Sequence, residues 1–335
     1  MNSYLPLALL GEKKSLSAQA HSDIQNLSGA RPKAFLLQAF YAWSLIITMT
    51  ILALKVDSIW ISILAIFIIA TRQNILALLV HEQVHFLGVR GEYGDLISNL
   101  IAAYPLGITV QDYANIHLSH HKYYFTDKDP DFLRKSGVDW TFPMPLGHLL
   151  KLLASDLLGL SFIKLLKGKR LNTVGVNFKR PYQTSKWIRL FFYLVTASLL
   201  SYAGIWDVFL IYWILPFITI FPLIVRLGAI TEHIYNLPRA TVNQSSPLII
   251  LSWWEKLILP NLNFSLHPYH HYFPGVAFCN LPKVHKIFQK EKLINENQKN
   301  IKQKNIEVSK QKTIRNALLF CGFIFFVGKT EGNLN

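Results

Sequence analysis

Nine of the twelve histidines in this 335-residue chain fall in four places: H-E-Q-V-H at His81–His85, H-L-S-H-H at His117–His121, a single Glu232-His233, and H-P-Y-H-H at His267–His271. On an α-helix, positions i, i+3 and i+4 share a face. His81 and His85 therefore point together, and so do His117, His120 and His121. His267, His270 and His271 repeat that second pattern. Neutral imidazole is a strong ligand for first-row metals such as iron and zinc. Eight or nine converging imidazoles exceed the roughly four ligands of one zinc ion and suit a two-metal centre. One such pair is as readily an ordinary polar or core pair, but two H-x-x-H-H repeats beside an H-x-x-x-H are not. Glu82 and Glu232 are the favoured acceptors for fixing imidazole tautomers, with Asp127, Asp129 and Asp131 ranked lower as turn and capping residues. His21, His148 and His285 stand outside the pattern and are read as non-ligands.

The elements that must position these groups are apolar. Hydrophobic residues make up 51% of the chain and charged residues 16%, with a mean hydropathy of +0.28. Residues 35–54 carry no charge and match the ~20 residues needed to cross a bilayer. Residues 59–80 form a second run, interrupted by Arg72-Gln73-Asn74, with Arg72 read as snorkelling to an interface. Residues 188–203 and 206–225 are the third and fourth, with Pro216 and Pro222 expected to kink the last. The first pair of runs delivers His81 and His85 just past the bilayer, and the second pair delivers His233 to the same side. The expected architecture is all-α, a polytopic membrane protein with four transmembrane helices and a cytoplasmic helical cap around the histidines.

The formal charge of +15 fits this arrangement, because two hairpins place nearly every Lys and Arg on the cytoplasmic side. Long uncharged runs assign the basic charge to a membrane rather than to nucleic acid. Cys279 and Cys321 form no C-x-x-C and imply neither a disulfide framework nor a thiolate metal site. No signal peptide is evident at the N-terminus. Residues 1–34 read as a cytoplasmic tail, 35–288 as the membrane domain, and 289–335 as a polar tail ending in a short apolar segment at 316–328. Residues 96–109, broken by Pro105 and Gly107, are too short to span and read as interfacial or re-entrant. Residues 146–166 carry Lys151, Asp156 and Lys164 and read as a helix lying in the interface.

With these residues in place, the chain resembles the integral-membrane fatty acid desaturases of the histidine-box type, from about Phe35 to Phe288. The resemblance rests on H-E-Q-V-H after the second span, Pro105-Leu106-Gly107 before H-L-S-H-H, and the D-P-D at Asp129–Asp131. It continues through Arg226 with Glu232-His233, H-P-Y-H-H-Y-F-P-G-V, and Asn280-Leu281-Pro282 with His285. It implies a non-haem di-iron centre with His81, His85, His117, His120, His121, His233, His267, His270 and His271 as ligands. It also implies O2 as co-substrate, a fatty acyl substrate, and electrons from a ferredoxin or cytochrome b5-type donor. No fused cytochrome b5 domain is visible, so the donor is expected to be a separate protein. Some stearoyl-type relatives place Asn four residues before the ligand equivalent to His233, where this chain has Ala229. The first box here has three intervening residues rather than four. The first departure leaves any water-bridged ligand from that residue absent or supplied elsewhere, and the short first box favours an acyl-lipid or related substrate over an acyl-CoA.

Three rivals remain at this stage. H-E-Q-V-H matches the H-E-x-x-H motif of zinc peptidases, with Glu82 as base, but leaves both H-x-x-H-H boxes unused. A hydroxylase or carotenoid ketolase of the same superfamily shares the ligands. A histidine-rich metal transporter would need its polar groups near the bilayer midplane, whereas these histidines follow the apolar runs.

Overall fold

The computed structural model describes residues 8–9, 11–141, 144–167, 178–180 and 184–295. It is helical throughout, apart from a two-residue antiparallel pairing of β1 (Ala8–Leu9) with β2 (Ile294–Asn295). In order the helices are α1 (Ala18–Leu27), α2 (Pro32–Val56), α3 (Ile59–Val84), α4 (Val110–Lys122), α5 (Pro130–Lys135), α6 (Leu146–Leu157) and α7 (Leu160–Lys167). They continue with α8 (Lys186–Ala203), α9 (Trp206–Glu232), α10 (Trp253–Ile258), α11 (His267–Tyr272) and α12 (Leu281–Lys290), besides shorter turns.

The stem starts from a stripe. Phe35, Ala39, Ala42, Ile46, Met49 and Ala53 recur at steps of four and three and are all buried. They pack on Ala65, Ile69, Leu76 and Val80 of α3 in one core cluster. Small alanines at the contact let the two backbones approach closely, which is how helices gain packing energy where lipid removes the hydrophobic drive between them. The opposite face of α2 leaves Leu37, Phe40, Ile47 and Leu54 exposed. A surface that apolar requires lipid or a partner rather than water. The hairpin turns at Asp57, which takes a left-handed conformation with φ 48°.

By length and composition, α2, α3 and α9 can each cross a membrane. Within α9, residues Leu210–Ile214 widen into a π-helix immediately before Pro216. A proline lacks the N–H for its i−4 carbonyl and clashes with it, and the wider turn accommodates both defects. The third run forms α8, 18 residues long, with Lys186 and Arg189 in its first turns and no buried residue. It is shorter and less apolar than the other three, so the expected four spans are matched here by three helices of clear spanning character.

Residues Gly94–Leu106 form a short α, π and 3-10 succession ended by Gly107 at φ 74°. This fits the expectation of a segment too short to span. The leucine-rich stretch divides into α6 and α7 at Gly159, φ 71°. Residues 11–28, read from sequence as a tail, are folded: Leu16, Ala20 and Ile24 are buried against Tyr269, Val284 and Phe288. The polar tail beyond residue 295 and its apolar segment 316–328 lie outside the described residues.

Candidate metal centre

The end of α3 sets the first pair of imidazoles. The last carbonyls of a helix have no intrahelical partner, and here a guanidinium takes two of them. Arg180 donates from Nη1 to the Val84 carbonyl at 2.6 Å and from Nη2 to the Gln83 carbonyl at 2.9 Å. It also forms a two-pronged ion pair with buried Asp95, at 2.7 Å on each oxygen. The Gln83 side chain donates to the same Asp95 at 2.9 Å. This knot fixes the turn that carries His81 and His85.

The second box rides on α4. Thr109 caps that helix by accepting from the Asp112 N–H. Tyr113, four residues before His117, lies parallel to it with ring centroids 5.6 Å apart. His233 comes where α9 stops, in an extended conformation at φ −142°. The third box is α11, opened by His267 with Pro268 at the first turn, where a missing N–H costs nothing.

All nine imidazoles meet in two adjoining groups. In one, His117 Nε2 lies 2.9 Å from His85 Nε2 and 3.0 Å from His121 Nε2, which is 3.0 Å from His270 Nε2. His81 packs against the same set, its ring 4.1 Å from His117 and 4.6 Å from His270. In the other, His233 Nε2 lies 3.2 Å from His120, 3.0 Å from His267 and 3.1 Å from His271. His271 and His121 stack at 4.4 Å where the groups adjoin. Ligating nitrogens about 2.1 Å from an ion and at right angles to one another sit about 3.0 Å apart. The ε-nitrogen spacings match that cage.

Satisfaction of the nitrogens points the same way. Both ring nitrogens of buried His81 lack any hydrogen-bond partner, and so do Nδ1 of His267 and of His270. Buried polar atoms are rarely left so, and a metal ion would satisfy one of the two His81 nitrogens. His120 shows how one lone pair is aimed. Its Nδ1 bonds to Asp129 Oδ2 at 2.8 Å. With the proton held on Nδ1, the Nε2 lone pair faces His233. Asp129 is fully buried and also accepts from the Phe125, Asp131 and Phe132 amides. Tyr124 Oη lies 3.3 Å from His233 Nδ1 and 2.7 Å from Ser245 Oγ.

Burial holds six of the rings neutral. His85 is pushed down to about 3 by loss of solvent and by the nearby Arg180 charge. His117, His121, His267, His270 and His271 lie well below the usual histidine range, from burial first and then from mutual repulsion. A neutral imidazole is the ligating form.

The structure thus brings together every one of the nine histidines singled out by spacing. Among the described residues, neither Glu82 nor Glu232 hydrogen-bonds to an imidazole through its side chain. Glu82 Oε2 instead accepts from the Phe278 N–H at 3.1 Å. Asp129, ranked below both, makes that contact. His285 bonds to Tyr269 at 2.9 Å and His148 to Asp139 at 3.1 Å, both away from the cluster. Tyr113 was overlooked although its i, i+4 relation to His117 placed it on the ligand face. Arg180 comes from a long loop with no local signal.

Known proteins add the family. Residues 58–295 match the profile described as fatty acid desaturase. The chain is also 27% identical over 244 residues to dihydrorhizobitoxine desaturase of Bradyrhizobium elkanii, covering 68% of each protein. The matched span contains all nine clustered histidines, both spanning helices that end at them, and α12, and on it the chain belongs to the fatty acid desaturase family.

Proposed function

We propose that this protein is a membrane fatty acid desaturase whose nine histidines hold two iron ions. His81, His85, His117, His121 and His270 would hold one, and His120, His233, His267 and His271 the other. The observation that carries this reading is the convergence of nine imidazoles, six of them buried, in two groups at 2.9–3.2 Å spacings. Bound there, the irons supply an O2-dependent oxidation able to remove two hydrogens from adjacent methylenes of an acyl chain.

The chain's own residues do the rest. Asp129 holds the proton on His120 Nδ1 so that Nε2 stays available. Tyr124, braced by Ser245, sets the rotation of His233. Arg180 and Asp95 fix the turn bearing His85. Six of the nine rings are buried, which keeps bulk water and stray protons from the centre.

The proposed topology has four spans, with α8 as the third, and places the histidines and both termini on the cytoplasmic side. The basic charge of the connecting segments supports it. A ferredoxin or cytochrome b5-type protein would supply the electrons. The substrate would be a fatty acyl lipid.

The test is mass spectrometry of lipids from cells expressing wild type or His270→Ala, with iron measured in both purified proteins. Species two hydrogens lighter in the wild type alone, with iron near two per chain, are expected. Species one oxygen heavier would instead mark a hydroxylase or ketolase. One zinc per chain and no lipid change would sink the reading.

A further inference from the structure

A second site lies beside the metal centre, on the lipid-facing flank of the stem. A cavity of about 330 Å³ opens between α2, α3 and the segment that follows α10. Its polar lining is Arg72, Asn261, Asn263, Gln38, Tyr41 and Lys256. Arg72 and Asn261 are each only 8% exposed. The Arg72 guanidinium uses Nε on the neighbouring Thr71 hydroxyl at 3.1 Å and leans on the Tyr41 ring at 5.7 Å. Among the described residues it meets no carboxylate, and the Asn261 carboxamide makes no hydrogen bond. A buried cation without a counter-charge is costly unless something anionic joins it. A planar guanidinium also offers the fork that matches carboxylate and phosphate oxygens.

The surroundings identify the kind of molecule. Trp253 and Leu257 of α10 are 79% and 71% exposed, and Leu37 and Phe40 of α2 are exposed on the adjoining face. With Lys256 between the first two, α10 has the make-up of a helix lying at a membrane surface. The cavity therefore opens where lipid chains and their polar ends meet. It also backs onto the metal centre. Phe278 lines it and donates its N–H to Glu82. Asn263 lines it as well, and the next residue, Phe264, sets its ring 4.5 Å from His81. Arg72 precedes His81 by nine residues on one helix, an axial separation of about 13 Å.

We infer that this cavity binds the anionic end of a single-chain amphiphile, a carboxylate or a phosphate, between Arg72, Asn261 and Lys256. Resting on the desaturase reading, this makes the occupant the substrate, gripped by its charged end while its chain runs toward the imidazoles. Desaturation position is then counted from the charged end.

The test is a binding titration by native mass spectrometry on the full-length protein, with stearate, stearyl phosphate and stearyl alcohol as probes. Wild type is expected to bind one of the anions at least about tenfold more tightly than the alcohol, as a charge-assisted contact warrants. Preference for stearate assigns a free carboxylate, and preference for stearyl phosphate assigns a phosphate head. Arg72→Gln and Asn261→Ala should abolish the preference. Lys256→Gln, at an exposed position that leaves the fold intact, should reduce it. His270→Ala should retain it, so loss of desaturation with the preference intact would leave the site standing. Equal binding of alcohol and both anions by wild type overturns the inference, as does an unchanged preference in folded Arg72→Gln and Lys256→Gln proteins.

Discussion

Replacing Asp129 by Asn removes one charge and almost no volume, yet the structure leaves the amide no comfortable orientation. Four donors converge on the carboxylate: His120 Nδ1 and the Phe125 amide on Oδ2, the Asp131 and Phe132 amides on Oδ1. If the Asn NH2 takes the Oδ1 place, it faces two backbone N–H groups at the start of α5, and loss of such a cap costs about 1 kcal/mol. If it takes the Oδ2 place, it opposes the Phe125 N–H and donates to His120 Nδ1. The His120 proton then moves to Nε2, the atom that faces His233, and one ligand is lost. Losing such a supporting partner typically weakens metal affinity 10–100-fold, or about 1.4–2.8 kcal/mol. Competitive titration of the purified variant with ferrous iron against a chelator of known affinity reads this directly. Iron should fall at the group containing His120, with the other group loading as in wild type. Affinity within twofold of wild type at both groups would refute the tautomer argument.

Other outcomes follow from the same geometry. Arg180→Met leaves Asp95 buried without its cation, and breaking a buried pair costs about 3–5 kcal/mol. The variant should melt at a clearly lower temperature than wild type, and an unchanged melting curve would show that the knot at the end of α3 is dispensable. The neutral histidines set a pH dependence. The unfolded chain takes up protons below about pH 6.5 that the folded chain refuses, in the case of His85 down to about 3. Stability is therefore full above pH 6.5 and falls as pH drops, by about 1.4 kcal/mol per pH unit for each proton excluded. In chelator, thermal unfolding should shift steeply downward between pH 6.5 and 5, and a flat profile would contradict the burial of these rings. For topology, with Cys279 and Cys321 replaced by Ser, an impermeant maleimide applied to intact cells should label Val56→Cys and spare Lys128→Cys. The reverse pattern would invert the proposed orientation.

What the sequence disclosed about the centre was its histidines, because their spacing is a property of single helices. His117, His120 and His121 share a face whatever lies around them. The Pro216 defect and the break at Gly107 were legible for the same local reason, whereas residues 146–166 read as one helix and the structure divides them at Gly159. Contacts that join distant segments were not. Asp129 looked like a capping residue, which it is, and only the approach of α4 to α5 makes it the partner of His120. Arg180, between α7 and α8, reaches the end of α3 across 96 positions. Arg72 read as a side chain snorkelling to water, but the packing of α10 and residues 260–263 encloses it. The weak apolar rhythm of residues 16–24 gave no hint that α11 and α12 would cover it.

The joining of the first and last described segments sets an order of assembly. Asn280 reaches back to the Leu27 carbonyl across 253 positions, the Gly29 N–H meets the Gly275 carbonyl, and Ala8–Leu9 pairs with Ile294–Asn295. The surface on which His267, His270 and His271 rest is made jointly by the first and last segments described. A ribosome presents those segments at opposite ends of synthesis, so the early one waits while the whole stem is inserted. Neither imidazole group is complete until the last box arrives: His270 belongs to one, His267 and His271 to the other. Full loading of both groups is thereby confined to a chain synthesised past His271, and a shorter nascent one displays only partial cages.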